Sequence, residues 1–291
     1  MTWTHEYSWT IPAPPERLFA ALVEPAQLRA WFAESVDVAA VVGGPYRFWG
    51  RHTLGVPSAA DATQRLTRVE PGQALGFDWD IGGAPTAVLL TLAPADEGGT
   101  RLTVRHEVRG PLGGVREREL IDDWWRLAFG NLAMHLAGGD GILRPDFADP
   151  HPEVRVAIVI EAPPAAVFRA LLEPDALARW FGQGGTVSVE PRVGGRYDLG
   201  WRYQVDGRDV VGGPTRILEL IPDRRLVVDW TDWRGDPSVT GQTIAFDLEP
   251  VAEGTRVTLV HGGFVRAADI SDYPFGWPWF LGKLREVAAS A

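Results

Sequence analysis

Ile11-Pro-Ala-Pro-Pro-Glu-Arg-Leu-Phe-Ala-Ala-Leu-Val-Glu-Pro-Ala-Gln-Leu-Arg-Ala-Trp-Phe32 returns later in the chain as Ile160-Glu-Ala-Pro-Pro-Ala-Ala-Val-Phe-Arg-Ala-Leu-Leu-Glu-Pro-Asp-Ala-Leu-Ala-Arg-Trp-Phe181, Trp31 and Trp180 being 149 residues apart. Three further blocks recur in the same order. Gly43-Gly44-Pro45-Tyr46 matches Gly194-Gly195-Arg196-Tyr197, and Gly76-Phe77-Asp78-Trp79 matches Val227-Val228-Asp229-Trp230, both at an offset of 151. Gly99-Thr100-Arg101-Leu102-Thr103-Val104-Arg105-His106 matches Gly254-Thr255-Arg256-Val257-Thr258-Leu259-Val260-His261 at 155. Blocks kept in order while the offset drifts are the mark of a duplicated framework whose connecting loops have changed length. The sequence therefore predicts two tandem domains, 1–139 and 153–291, joined by a Gly- and Pro-rich linker at 140–152.

Each copy has the same order of elements. Trp3, His5, Tyr7, Trp9 and Ile11 alternate with polar residues, as do Val154, Val156, Ile158 and Ile160, which is the period of a half-buried strand. Pro14-Pro15 and Pro163-Pro164 open a short helix running to Glu24 or Glu173, and Pro25 or Pro174 opens a second that carries the Trp-Phe pair. Strands separated by Gly, Pro and Asp-Gly turns follow to about Val108 and Val265, Asp206-Gly207 being a hairpin signal. An amphipathic helix closes each copy, with Trp125, Phe129, Leu132 and Leu136 on its apolar stripe in the first and Trp277, Phe280, Leu281, Leu284 and Ala288 in the second. Asp122-Asp123 is expected at the N-terminus of the first of these helices. The fold class is thus α+β, a curved antiparallel sheet around a long C-terminal helix, twice.

Taken together, Ala-Pro-Pro, Glu-Pro, Trp-Phe, the double glycine before Tyr46 and Tyr197, and Gly-Thr-Arg leading to His106 and His261 resemble one known family. It is the C-terminal domain of activators of the Hsp-90 ATPase, within the START-like (SRPBCC, helix-grip) superfamily. The resemblance spans nearly the whole chain, and the second copy follows the pattern more closely. It implies a pocket for a small, largely apolar molecule. It implies less about chaperones, because the domain that binds the chaperone in the eukaryotic activator has no counterpart here, and a chaperone partner is not expected.

Composition removes whole classes of chemistry. The 291 residues include no cysteine, which excludes disulfides, thiol nucleophiles and cysteine-held metals. A net charge of −10 with no basic cluster argues against nucleic acid and anionic membranes. No window reaches the length of a membrane span and no basic-then-apolar leader opens the chain, so a cytoplasmic location is expected. The six histidines do not fall at ligand spacing, so no metal is expected, and no phosphate loop or dinucleotide fingerprint calls for a cofactor.

The 13 tryptophans require places. Trp31 and Trp180 read as anchors where helix meets sheet. Trp79 and Trp230 share strand parity with inward apolar residues and either line a cavity or fill it, and Trp125, Trp201 and Trp277 join them. Tyr46, Phe48 and Tyr197 are expected in the same wall, the tyrosines with a hydroxyl to offer. His106 and His261 point with the apolar side chains of their strands. Each is either a polar handle in a pocket or a structural histidine satisfied by its neighbours. The reading these residues favour is a cofactor-free protein binding a small hydrophobic ligand between sheet and C-terminal helix. The alternatives are a cyclase- or dehydratase-like enzyme using His106 or His261 as acid-base, and a co-chaperone-like interaction protein. The two copies are also able to pack on each other as an intramolecular pseudo-dimer.

Overall fold

The structure, a computed structural model, describes residues 2–96, 98–114, 116–139, 141–205 and 207–290. Asp206 of the expected hairpin and Asp140 of the expected linker lie outside the described residues. The chain divides into two compact units, Met1–Pro150 together with Arg266–Asp272, and His151–Val265 together with Tyr273–Ala291.

In unit 1, β1 (Trp3–Ile11) leads to α1 (Pro15–Val23) and α2 (Pro25–Trp31), each with proline in its first turn, where the missing N–H removes nothing from the helix. Then come β2 (Ser35–Val38), β3 (Tyr46–Trp49), β4 (Leu66–Glu70), β5 (Ala74–Ile81), β6 (Ala84–Pro94), β7 (Thr100–Val108) and α3 (Glu117–Leu136). The main sheet is antiparallel in the order β1-β7-β6-β5-β4, and β2 pairs with β3 beside it. Unit 2 repeats the plan as β8 (Val154–Ile160), α4 (Pro164–Ala170), α5 (Pro174–Trp180), β9 (Ser188–Val189), β10 (Tyr197–Asp198), β11 (Arg202–Val205), β12 (Arg208–Val211), β13 (Ile217–Ile221), β14 (Arg225–Asp229), β15 (Thr243–Val251), β16 (Gly254–Gly262) and α6 (Tyr273–Ala289). Its sheet runs β13-β14-β15-β16-β8, with β9–β10 and β11–β12 as small pairs.

The repeated motifs are repeated joints. Gly99 and Gly254 sit at positive φ where a Cβ would strike the carbonyl oxygens of Ile11 and Ile160, so only glycine lets the last strand lie against the end of the first. The next residue donates a side-chain hydrogen bond, Thr100 Oγ1 to Ala13 O and Thr255 Oγ1 to Ala162 O, both 2.7 Å. Trp31 Nε1 donates to Ala21 O and Trp180 Nε1 to Ala170 O, tying the two short helices together.

Two local expectations are corrected, and the hairpin is met. Helix α4 stops at Ala170 rather than reaching Glu173, because the Leu171 N–H is drawn into a tightened turn on Val167 O and Phe168 O. The strands on either side of the expected hairpin pair as the signal predicts, Val205 facing Arg208, and form a separate two-stranded piece beside the main sheet. Helix α3 begins at Glu117, so Asp122 and Asp123 lie in its second turn. Glu117 instead ties down the preceding loop, accepting the N–H groups of Leu112 and Gly113, while Asp122 pairs with Arg126 one turn on. Among the described residues no helix is long and apolar enough to cross a membrane.

Candidate functional site

In unit 1 the space between sheet and α3 is occupied by aromatic rings. Trp79 is 1% exposed, stacked on His106 at 5.6 Å and flanked edge-on by Phe48, Trp124 and Trp125 at 5.3–6.3 Å. Phe77 and Phe129 complete the packing. The void beside Trp124, lined also by Trp31, Phe32 and Asn131, measures only about 10 Å³, the room of one water. Phe48 and Trp125 pack edge-on against Trp79, and each of the three is 1% exposed.

Tyr46 and Tyr197 do not offer their hydroxyls to a ligand. Tyr46 Oη donates to Leu22 O and Tyr197 Oη to Leu171 O, both at 2.7 Å and fully buried, fastening the double-glycine strand to the first short helix. Burial pushes both phenols well above their ordinary pKa, so each stays a donor. Trp201 is similarly committed, its Nε1 donating to Phe181 O at 2.9 Å.

His106 is satisfied at both nitrogens. Trp125 Nε1 donates to His106 Nδ1 at 3.0 Å, which leaves the ring proton on Nε2. That proton faces Thr86 Oγ1 at 2.8 Å, and Thr86 Oγ1 in turn donates to Trp79 O at 2.8 Å. The chain runs indole, imidazole, hydroxyl, carbonyl, and no group in it is left over. Burial, with His5 nearby, pushes the His106 pKa down to about 3.

Unit 2 repeats this chain and then breaks it. Trp277 Nε1 donates to His261 Nδ1 at 3.3 Å, so the proton again sits on Nε2. His261 is fully buried and its Nε2 has no partner. The register explains why. Val88 faces His106 and Ile244 faces His261, so the residue two positions earlier in the chain, Thr86 on β6 in one unit and Gln242 just ahead of β15 in the other, is diagonal to the histidine. Gln242 supplies no β-hydroxyl, and its own Oε1 is buried without a partner although the residue is only 5% exposed. Rings of Trp230, Phe264, Tyr273 and Trp277 surround His261 at 4.4–5.7 Å, and Trp230 Nε1 donates to Tyr273 Oη. Burial pushes the His261 pKa down to about 3, so the imidazole is neutral at physiological pH.

Beside this pair, unit 2 carries a depression of about 470 Å³ whose lining includes Val210, Val211, Leu218, Trp230, Asp232 and Gln242. It arises where the second copy is longer. Trp79 and Thr86 are joined through a tight turn at Gly82-Gly83, whereas Trp230 and Gln242 are twelve residues apart and the extra chain forms the far wall. Sequence reasoning missed Gln242 because the matched blocks stop short of it. The growth of the repeat offset from 151 at Trp230 to 155 at Gly254 was the signal that marked the insertion. Among the described residues no group of three or more His, Asp or Glu is placed to hold a metal ion.

The two units, each an antiparallel sheet gripping a C-terminal helix, define a protein of tandem helix-grip, START-like domains. A family model described as Activator of Hsp90 ATPase homolog 1-like protein matches residues 12–137 and again 161–289, and the chain belongs to that family. Solved structures similar to it include an AHSA1-like protein from Rhizobium etli, 31% identical over 48% of this chain and 82% of its own, with a TM-score of 0.37. A protein from Mesorhizobium loti is 26% identical over 48% of this chain and 98% of its own, with a TM-score of 0.38. DynU16, a putative protein in the dynemicin biosynthetic locus, is 20% identical over 98% of both chains, with a TM-score of 0.41. No curated protein matches the chain.

Proposed function

We propose that the protein binds a small, largely apolar molecule, and that unit 2 is the binding unit. The observation carrying this reading is the His261 Nε2–H, buried, unpartnered, and next to a depression that Trp230 and Gln242 help to line. A buried donor left unmade costs about 1–3 kcal/mol, so a structure that keeps one gains by having a ligand satisfy it. The volume falls within the range of small-molecule sites, and its walls are mixed, Val210, Val211, Leu218 and Trp230 standing among polar groups that include Asp232 and Gln242.

Binding is favoured over acid-base catalysis by the same histidine. An imidazole with its pKa near 3 carries no second proton to give at neutral pH and, with Nδ1 taken by Trp277, has no free lone pair to accept one. What it retains is a single N–H that donates a hydrogen bond.

Thermal melting of the full chain with a panel of small apolar compounds tests the reading. Ligands are expected to raise the midpoint of the wild type and to lose that effect in Val239→Trp, which fills the depression. A panel that leaves the wild-type midpoint unmoved, or a shift that survives Val239→Trp, counts against it.

A further inference from the structure

Resting on that reading, unit 1 indicates what chemical group belongs beside His261. Thr86 Oγ1 is a hydroxyl that accepts from His106 Nε2–H and donates to a carbonyl oxygen, both at 2.8 Å. Unit 2 has the same donor, His261 Nε2–H, and an unpartnered carbonyl-type acceptor, Gln242 Oε1, on the residue diagonal to it. One donor and one acceptor on neighbouring side chains are satisfied together by a single atom that does both, and a hydroxyl oxygen is such an atom. A carboxylate does not fit, since it would bring a charge to a neutral imidazole and set its second oxygen against Gln242 Oε1. An ether or ketone satisfies the histidine but leaves the amide oxygen unpaired.

We propose that unit 2 recognises the hydroxyl of a small apolar alcohol or phenol, held between His261 Nε2 and Gln242 Oε1 in the position that Thr86 Oγ1 occupies in unit 1. The apolar remainder lies against Trp230, Val210 and Val211, and Gln242 is the side chain that moves to admit the polar end. The first unit is closed to the same group because its own threonine already supplies it.

Three probes with one skeleton separate the contributions: 4-ethylphenol both donates and accepts, 4-ethylanisole only accepts, and ethylbenzene does neither. Calorimetric titration of the full chain is expected to show the phenol binding about tenfold more tightly than either of the others, the net effect of one or two hydrogen bonds between uncharged groups. Gln242→Thr places the first unit's hydroxyl in the second and should abolish the preference. Gln242→Leu removes the acceptor without sealing the histidine and should bring the phenol down to the anisole. Equal binding of all three probes to the wild type, or a preference for the phenol that persists in both variants, overturns the hydroxyl assignment while leaving apolar binding in place. Binding of none of the three overturns both.

Discussion

At the scale of single residues, the two buried histidines tie stability to pH in a defined direction. Each has its pKa pushed from about 6.5 in the unfolded chain to about 3 by burial. Above pH 6.5 both states are neutral and the histidines contribute nothing to the pH dependence. Between pH 6.5 and 3 the unfolded chain takes up protons that the folded chain refuses, so stability falls as pH falls, by up to about 1.4 kcal/mol per pH unit for each histidine. Urea unfolding at pH 7, 6 and 5 should show this loss, and His106→Gln should make it shallower. An unchanged slope would mean that His106 is protonated in the fold after all. The inward placement of these histidines was legible, because strand parity puts His106 with Val104 and His261 with Leu259. Their partners were not. Which side chain meets Nε2 depends on the register between β6 and β7 or β15 and β16, set by hairpins in a stretch where the copies no longer match in sequence. The tyrosines repeat the lesson: parity turned Tyr46 and Tyr197 inward, but only the approach of the first short helix decides that Leu22 O and Leu171 O take their hydroxyls.

Among the elements, the closing helices show where periodicity succeeds and where it stops. The apolar stripes of α3 and α6 were readable, and Trp125, Leu132, Trp277, Leu281 and Leu284 are all buried. The start of α3 was misread because Asp122-Asp123 looks like a cap, while Glu117 reaches back to two loop N–H groups that no spacing rule announces. Helix α6 contains Pro278 at its sixth residue, on the exposed side, where the ring removes a backbone donor and crowds the preceding turn. Pro278→Ala is expected to raise stability by about 1–3 kcal/mol in chemical unfolding, since interior proline costs about 3 kcal/mol relative to alanine. A loss of stability would show instead that the proline is needed to seat Trp277 against His261.

At the scale of the whole molecule, duplication has produced one unit with a closed polar chain and one with an open end. The division into two α+β units was visible in the four repeated blocks, because the glycine, threonine, tryptophan and proline joints they contain are required by the fold itself. The membership of Arg266–Asp272 in unit 1 was not visible, since contacts between segments far apart in sequence leave no periodicity. Arg266 donates to Arg116 O at 2.9 Å, at the N-cap of α3, and Asp272 pairs with Arg126 further along that helix. A fragment ending at residue 150 lacks both groups. Hydrogen–deuterium exchange should show the first turns of α3 less protected in that fragment than in the full chain. Equal protection would mean that the segment adds no order there.

That segment also bears on the order in which the protein is made. A ribosome releases the chain from its N-terminus, and domains generally fold as they emerge. Unit 1 has its sheet and helix in hand once Pro150 is out, yet its last residues, Arg266–Asp272, are delivered only when nearly all of unit 2 has been synthesised. The older part of the nascent chain thus waits, incomplete at one helix end, for a piece of the newer part.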